Sequence, residues 1–144
     1  FYTGDVCFHD QTLLRGARFD EVQADVLILE TTRGDRATPK GFTREAEVRR
    51  LAEAIQRVFK RKGSVLIPSF ALGRTQEILA LLALLMREGQ LKPQPVYISG
   101  LGRVFTEIFD LQSNNLRMLI SLLNINLHID LFAINRVGKL ILRA

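Results

Sequence analysis

Apolar residues along this chain recur with two different periods. Between residues 43 and 62, Val48, Leu51, Ala52, Ile55, Val58 and Phe59 fall three and four apart, the stripe of an amphipathic helix. Thr43 is a natural N-cap, Glu45 and Glu47 suit the positive end of the dipole, and Lys60, Arg61 and Lys62 suit its negative end, with Gly63 as the stop. A second helix is predicted from about residue 75 to 88. Ile78, Leu79, Leu81, Leu82, Leu84, Leu85 and Met86 make it apolar around nearly its whole circumference, so it should be heavily buried, with Gly89 ending it. Three short apolar runs read as strands. Val26, Leu27, Ile28 and Leu29, closed by Glu30, have the pattern of a strand buried on both faces. Residues 64–68 form the second run, and Val96-Tyr97-Ile98, reached through Pro93 and Pro95, the third. Residues 32–42, with Gly34, Asp35, Pro39 and Gly41, have loop chemistry. The alternation of strand and helix predicts an α/β fold with parallel pairing and right-handed crossovers.

The pattern changes near residue 113. Every asparagine of the chain lies beyond that point (Asn114, Asn115, Asn124, Asn126, Asn135), and residues 124–131 alternate polar and apolar as a half-exposed strand would. Residues 113–144 therefore read as a separate, strand-forming tail, or as sequence that has left its ancestral reading frame.

The 144 residues, 47% hydrophobic and 24% charged, are enough for one ordinary domain with a core. The net charge of +5 permits a polyanionic partner and by itself does no more. One cysteine, Cys7, excludes an intramolecular disulfide and a cysteine-based zinc site, and a buried position is expected for it. The absence of a signal peptide or a long apolar run makes a cytoplasmic location, away from membranes, the default expectation. The chain has no initiating Met, and Phe1-Tyr2-Thr3-Gly4-Asp5 reads as the end of a strand, as in a piece of a longer protein.

Candidate chemistry lies at the strand ends. Asp5 follows a glycine that lets the backbone approach closely; it is either a metal ligand or an ordinary turn residue. His9 and Asp10 are close by, as ligands or as solvated loop residues. Glu30 ends an apolar strand and needs a partner: Arg33 or Arg36 in an ion pair, or a metal-bound histidine that it orients. The turn Pro68-Ser69-Phe70-Ala71-Leu72-Gly73-Arg74 joins a strand to a helix, where α/β proteins place ligands. Free N–H groups at a helix start attract anions, and Arg74 adds a permanent charge. Neither a Gly-x-Ser-x-Gly elbow around Ser69 nor a Walker A loop is present, since Pro68 and Arg74 replace the required Gly and Lys.

Three segments together resemble the metallo-β-lactamase-fold nucleases that carry a β-CASP domain, such as ribonuclease J and the endonuclease of pre-mRNA 3′ cleavage. They are Tyr2-Thr3-Gly4-Asp5; the 25–30 run followed by Thr31-Thr32-Arg33-Gly34-Asp35-Arg36; and the long run Gly63 to Glu77 that contains Ile67-Pro68-Ser69-Phe70-Ala71-Leu72-Gly73-Arg74-Thr75-Gln76-Glu77. The likeness continues to Pro95-Val96-Tyr97-Ile98-Ser99-Gly100-Leu101 and covers roughly residues 1–110. It implies the end of a metallo-β-lactamase sandwich over 1–31 and the N-terminal half of a β-CASP domain, parallel strands flanked by helices, over 32–112, with 113–144 unassigned. It implies two zinc ions in the intact protein, Asp5 as the bridging metal ligand, and Glu30 as a catalytic-site acid supporting a histidine. Ser69, Gly73 and Arg74 fall on the turn lining the substrate cleft, where a role in phosphate contact follows from the helix-start argument. RNA is the implied substrate, with DNA as the alternative.

The departures are specific. The His-x-His-x-Asp-His zinc cluster and the third-motif histidine belong upstream of residue 1. Ala37 and Thr38 stand where the family often has a histidine, Gly102-Arg103-Val104 replaces a Pro-Leu-Ala-like run, and the later β-CASP histidines are missing. His128 lies in the unassigned tail. The chain alone is accordingly expected to be inactive. The reading from another class is a non-catalytic α/β module that binds nucleotide or RNA through the 69–74 turn, and a truncated product without function is the third.

Overall fold

The computed structural model describes residues 1–32 and 34–111 and the backbone of a strand at 139–143. Helix α1 spans Arg44–Lys60, strand β1 Ser64–Pro68, helix α2 Arg74–Arg87, strand β2 Val96–Ile98, helix α3 Leu101–Leu111 and strand β3 Lys139–Arg143. The fold is α/β. None of the described helices is long and apolar enough to cross a membrane.

Helix α1 starts as its sequence dictates: the Thr43 hydroxyl accepts the Ala46 N–H at 3.2 Å. Its end differs from expectation. Lys62, at φ 55°, makes the left-handed turn, while Gly63 lies so close to α1 that a Cβ there would stand 2.9 Å from Val58 Cγ1. Glycine is needed at 63 for close approach, and the turn itself falls one residue earlier. Helix α2 ends on Gly89 at φ 72°, whose N–H donates to the Met86 carbonyl.

The core lies where α1 and α2 cover the sheet. Ala52 and Ile55 from α1 meet Leu79, Leu82, Leu85 and Met86 from α2, and Leu91, Val96 and Ile98 close the cluster. Nine of the fourteen residues of α2 are buried, as its all-round apolarity requires. Strand β1 is buried on one face only: Val65 and Ile67 turn to the core while Leu66 is exposed.

Sheet order corrects the expected parallel pairing. Strand β3 lies between β1 and β2, antiparallel to both, with Ser64 opposite Arg143, Pro68 opposite Lys139 and Ile98 opposite Leu140. Strands β1 and β2 thus run in the same direction without touching as neighbours. Part of the 113–144 tail does form a strand, whereas the alternating 124–131 stretch lies outside the described residues. Helix α3 had no counterpart in the sequence reading. Its buried positions are Gly102 and Thr106, which face α2, and Leu101, Val104, Ile108 and Leu111 are left exposed.

Residues 25–30 depart furthest from expectation. A single parallel bridge joins Tyr2 to Ile28, through Thr3 N–H to the Ile28 carbonyl and Ile28 N–H to the Phe1 carbonyl. Val26, Leu27, Ile28 and Leu29 are exposed and not buried on both faces. The N-terminal ammonium also donates to the Val26 carbonyl at 2.6 Å, and Phe19 packs edge to face with Phe1 and Phe8. Cys7 is likewise exposed and not buried, because it lies on the surface loop closed by the Ala17 N–H to Cys7 carbonyl bond.

Candidate functional site

The turn between β1 and α2 is braced from within. Gly73 caps α2 at φ 75°, a conformation that disfavours any side chain. The Arg74 N–H donates to the Leu72 carbonyl at 2.9 Å and the Thr75 N–H to the Phe70 carbonyl at 3.2 Å. Two amides that the sequence left free for an anion are therefore taken by the turn's own carbonyls. The Thr75 hydroxyl also donates to the Phe70 carbonyl, which leaves Ser69 Oγ as the donor in its 2.9 Å bond with Thr75. Of the three residues expected on this turn, Arg74 alone presents an exposed charged group.

Behind the turn, two polar residues of α2 are buried that its apolar pattern does not explain. Gln76 Nε2 lies 3.1 Å from the Ala71 carbonyl, 3.2 Å from the Gly102 carbonyl and 3.1 Å from Thr106 Oγ1, tying the turn to α3. Glu77 accepts from the Thr12 N–H at 2.7 Å, the Leu13 N–H at 3.0 Å and the Arg44 guanidinium at 2.5 Å. Burial pushes the Glu77 carboxyl up, but the hydrogen bonds from Thr12, Leu13 and Arg44 outweigh it and leave it below its ordinary value. Glu77 thus binds the segment that follows Asp5 to the turn. Its signal in the sequence was available: an acid in the first turn of a helix apolar on all sides must have a partner.

At the other strand ends, Glu30 reaches across to the residue after Asp5. Its Oε1 accepts the Val6 N–H at 3.4 Å and its Oε2 the Thr32 N–H at 3.1 Å. Bonds from Thr32, side chain and backbone, and from Val6 hold the Glu30 carboxyl below its ordinary value. Its partners are the Val6 and Thr32 amides and the Thr32 side chain; Arg36 lies instead 3.8 Å from Asp35, both exposed, and Arg33 is outside the described residues. The structure brings Glu30 to the backbone beside Asp5, and brings residues 12–13 to the Ser69–Arg74 side through Glu77. Asp5 itself is exposed, as is His9, and Asp10 accepts the Gly16 N–H.

The chain is 38% identical over 99 residues to an RNase J-like protein of Methanocaldococcus jannaschii, a match covering 69% of this chain and 23% of that protein. It is 34% identical over 100 residues to the transcription termination factor FttA of Methanothermobacter thermautotrophicus, covering 69% and 16%. It is 38% identical over 100 residues to the cleavage and polyadenylation specificity factor subunit 3 of Dictyostelium discoideum, covering 69% and 12%. The chain belongs to the β-CASP metallo-β-lactamase family. It spans less than a quarter of the length of these curated relatives. No family model matches it, and no solved structure does.

The β-CASP family implies a metal, and the described residues do not fit one by themselves. No group of three or more His, Cys, Asp or Glu side chains converges among them. Both Glu30 oxygens are held by backbone amides, Glu77 is committed to its own partners, and Asp5 is a single donor. What the arrangement does provide in this β-CASP chain is a fixed turn carrying one exposed guanidinium, connected through Glu77 to the segment downstream of Asp5.

Proposed function

We propose that this chain is the part of a zinc-dependent β-CASP ribonuclease that runs from the end of the metallo-β-lactamase sandwich, residues 1–31, into the N-terminal half of the β-CASP domain, residues 32–112. The substrate is the phosphodiester backbone of RNA, in keeping with relatives named RNase J-like protein and RNase aCSPSF2. The observation that supports the reading is the Glu30 bond to the N–H of Val6, the residue after Asp5. In this reading Asp5 is the one metal ligand the chain contributes, Glu30 positions the neighbouring backbone, and Arg74 meets a phosphate. Ser69 and Gly73 shape the turn that presents it. Hydrolysis needs the remaining ligands, so the 144 residues alone are inactive; a cytoplasmic location is a separate part of the proposal.

The test is zinc content and RNA hydrolysis by the purified chain beside a protein of the relatives' full length that contains it. The longer protein is expected to cleave RNA and to lose cleavage with Asp5→Ala, while the chain alone does neither. Tightly bound stoichiometric zinc or turnover by the 144 residues overturns the proposal. The second reading, a non-catalytic RNA-binding module, is favoured by the exposed Arg74 on the braced turn. It prevails if the longer protein binds RNA and never cuts it.

A further inference from the structure

Between the 11–14 segment, the 70–74 turn and α3 lies an open cavity of about 330 Å³. Leu13, Leu14, Phe70, Leu72 and Phe109 form its apolar walls, and Arg74, on the same turn as Phe70, also lines it. That volume is at the small end for ligand sites, so one planar group fits and a bulky ligand does not. Phe70 is 86% exposed, although its carbonyl is fixed by both the N–H and the hydroxyl of Thr75. A rigid turn therefore holds an aromatic ring out to solvent, where the ring contributes little to the core.

The charges around the cavity favour an anion. Glu77 is the acid among the lining residues, but its carboxylate is buried and compensated by Arg44 and the Thr12 and Leu13 amides. The same bonds fix the Leu13 wall. Arg74 is exposed, in no ion pair among the described residues, on a chain of net charge +5. An exposed ring over an apolar cavity with a guanidinium beside it is how proteins take an unpaired base together with its phosphate.

We propose that this cavity receives one unpaired base of single-stranded RNA, stacked on Phe70, with the adjoining phosphate on Arg74. The proposal rests on the RNA-binding part of the reading above and not on zinc or hydrolysis. Apolar walls read stacking and not hydrogen-bond pattern, so adenine is preferred to uracil and paired RNA is excluded.

The test is fluorescence anisotropy of a labelled adenosine decamer with the whole 144-residue chain across a salt series. Phe70→Ala is expected to weaken binding about tenfold with an unchanged salt slope, and Phe70→Tyr to restore it. Arg74→Ala is expected to reduce the slope by about 0.7, one single-strand phosphate. An abasic oligomer of the same charge should bind the wild type and Phe70→Ala equally. Because the Phe70 ring is exposed, Phe70→Ala leaves the melting temperature unchanged, which separates lost binding from lost folding. Equal affinity of wild type and Phe70→Ala overturns the proposal, as does failure of the wild type to bind at low salt. A fall in melting temperature with RNA binding intact overturns it too, marking Phe70 as a packing contact. A longer protein that binds through Phe70 but never cleaves sinks the nuclease reading and leaves this pocket standing.

Discussion

The Arg44 guanidinium lies 2.5 Å from Glu77 Oε1, and the same nitrogen lies 2.5 Å from Thr12 Oγ1. One cation at the start of α1 thereby joins α2 to the N-terminal segment, across 33 and 32 residues of sequence. Glu77 is 7% exposed and Arg44 45%, so the carboxylate is the partner that suffers when the pair is broken. Glu77→Ala is expected to cost about 3 kcal/mol, leaving two amides and a guanidinium without their acceptor. Arg44→Ala, on the more exposed side, should cost about 1 kcal/mol, because water replaces part of what is lost. Urea denaturation of the two variants checks the order.

Acid should unfold the protein partly through this same group. Glu77 has its carboxyl held below the usual value near 4.5. Its contribution to stability is therefore complete above that value and lost as pH falls through the lower, folded-state value. Asp110 acts in the opposite sense: burial and the neighbouring Glu107 raise its carboxyl, so its cost is present at neutral pH and relieved by acid. Melting temperature against pH should drop on the acid side, and Glu77→Gln should flatten that drop.

At Gly73 the constraint is conformational only. With φ at 75° and nothing within 4 Å of an added Cβ, Gly73→Ala meets no clash and a strained backbone. The expected loss is about 1–2 kcal/mol, visible as a lower melting temperature. Gly73→Asn should lose about as much, because φ 75° with ψ −59° is a γ-turn, closed by the Arg74 N–H to Leu72 carbonyl bond, and not the left-handed helical region that asparagine tolerates.

Gln76 gives a sharper comparison. Its Nε2 has three acceptors within 3.2 Å while its buried Oε1 has no partner among the described residues. Gln76→Leu removes the unsatisfied oxygen along with the donor and keeps most of the volume, so about 1 kcal/mol is expected. Gln76→Ala adds a cavity and should cost about 3 kcal/mol by denaturant titration.

A metal chelator should leave the fold of the 144 residues unchanged. The described residues gather no three-donor set, so their packing does not depend on a bound ion. Identical melting curves with and without chelator are the expected result.

Helices α1 and α2 were legible because their signals are local: a three-and-four spacing, the Thr43 cap and Gly89 are each read within a few residues. Strand pairing was not, because nothing in 64–68 or 96–98 names a partner some forty to eighty residues away in the chain. The 25–30 run shows the limit from the other side. Its apolarity states a need for cover, and the structure leaves it exposed. Of the site, Glu30's need of a partner was legible, while that partner being the Val6 and Thr32 backbone was not, nor were the occupied amides of Arg74 and Thr75. Chain direction at a helix start shows which groups are unpaired in the helix, not which carbonyls the preceding turn will offer them.

Because β3 sits between β1 and β2, the sheet closes only after residue 139 has been made. Until then the ribosome holds out two short strands with bare hydrogen-bonding edges and a gap between them, a shape prone to pairing with the wrong neighbour. The helices can assemble early, but closing the sheet waits for Lys139–Arg143, and a chain lacking that strand would be left open along its middle.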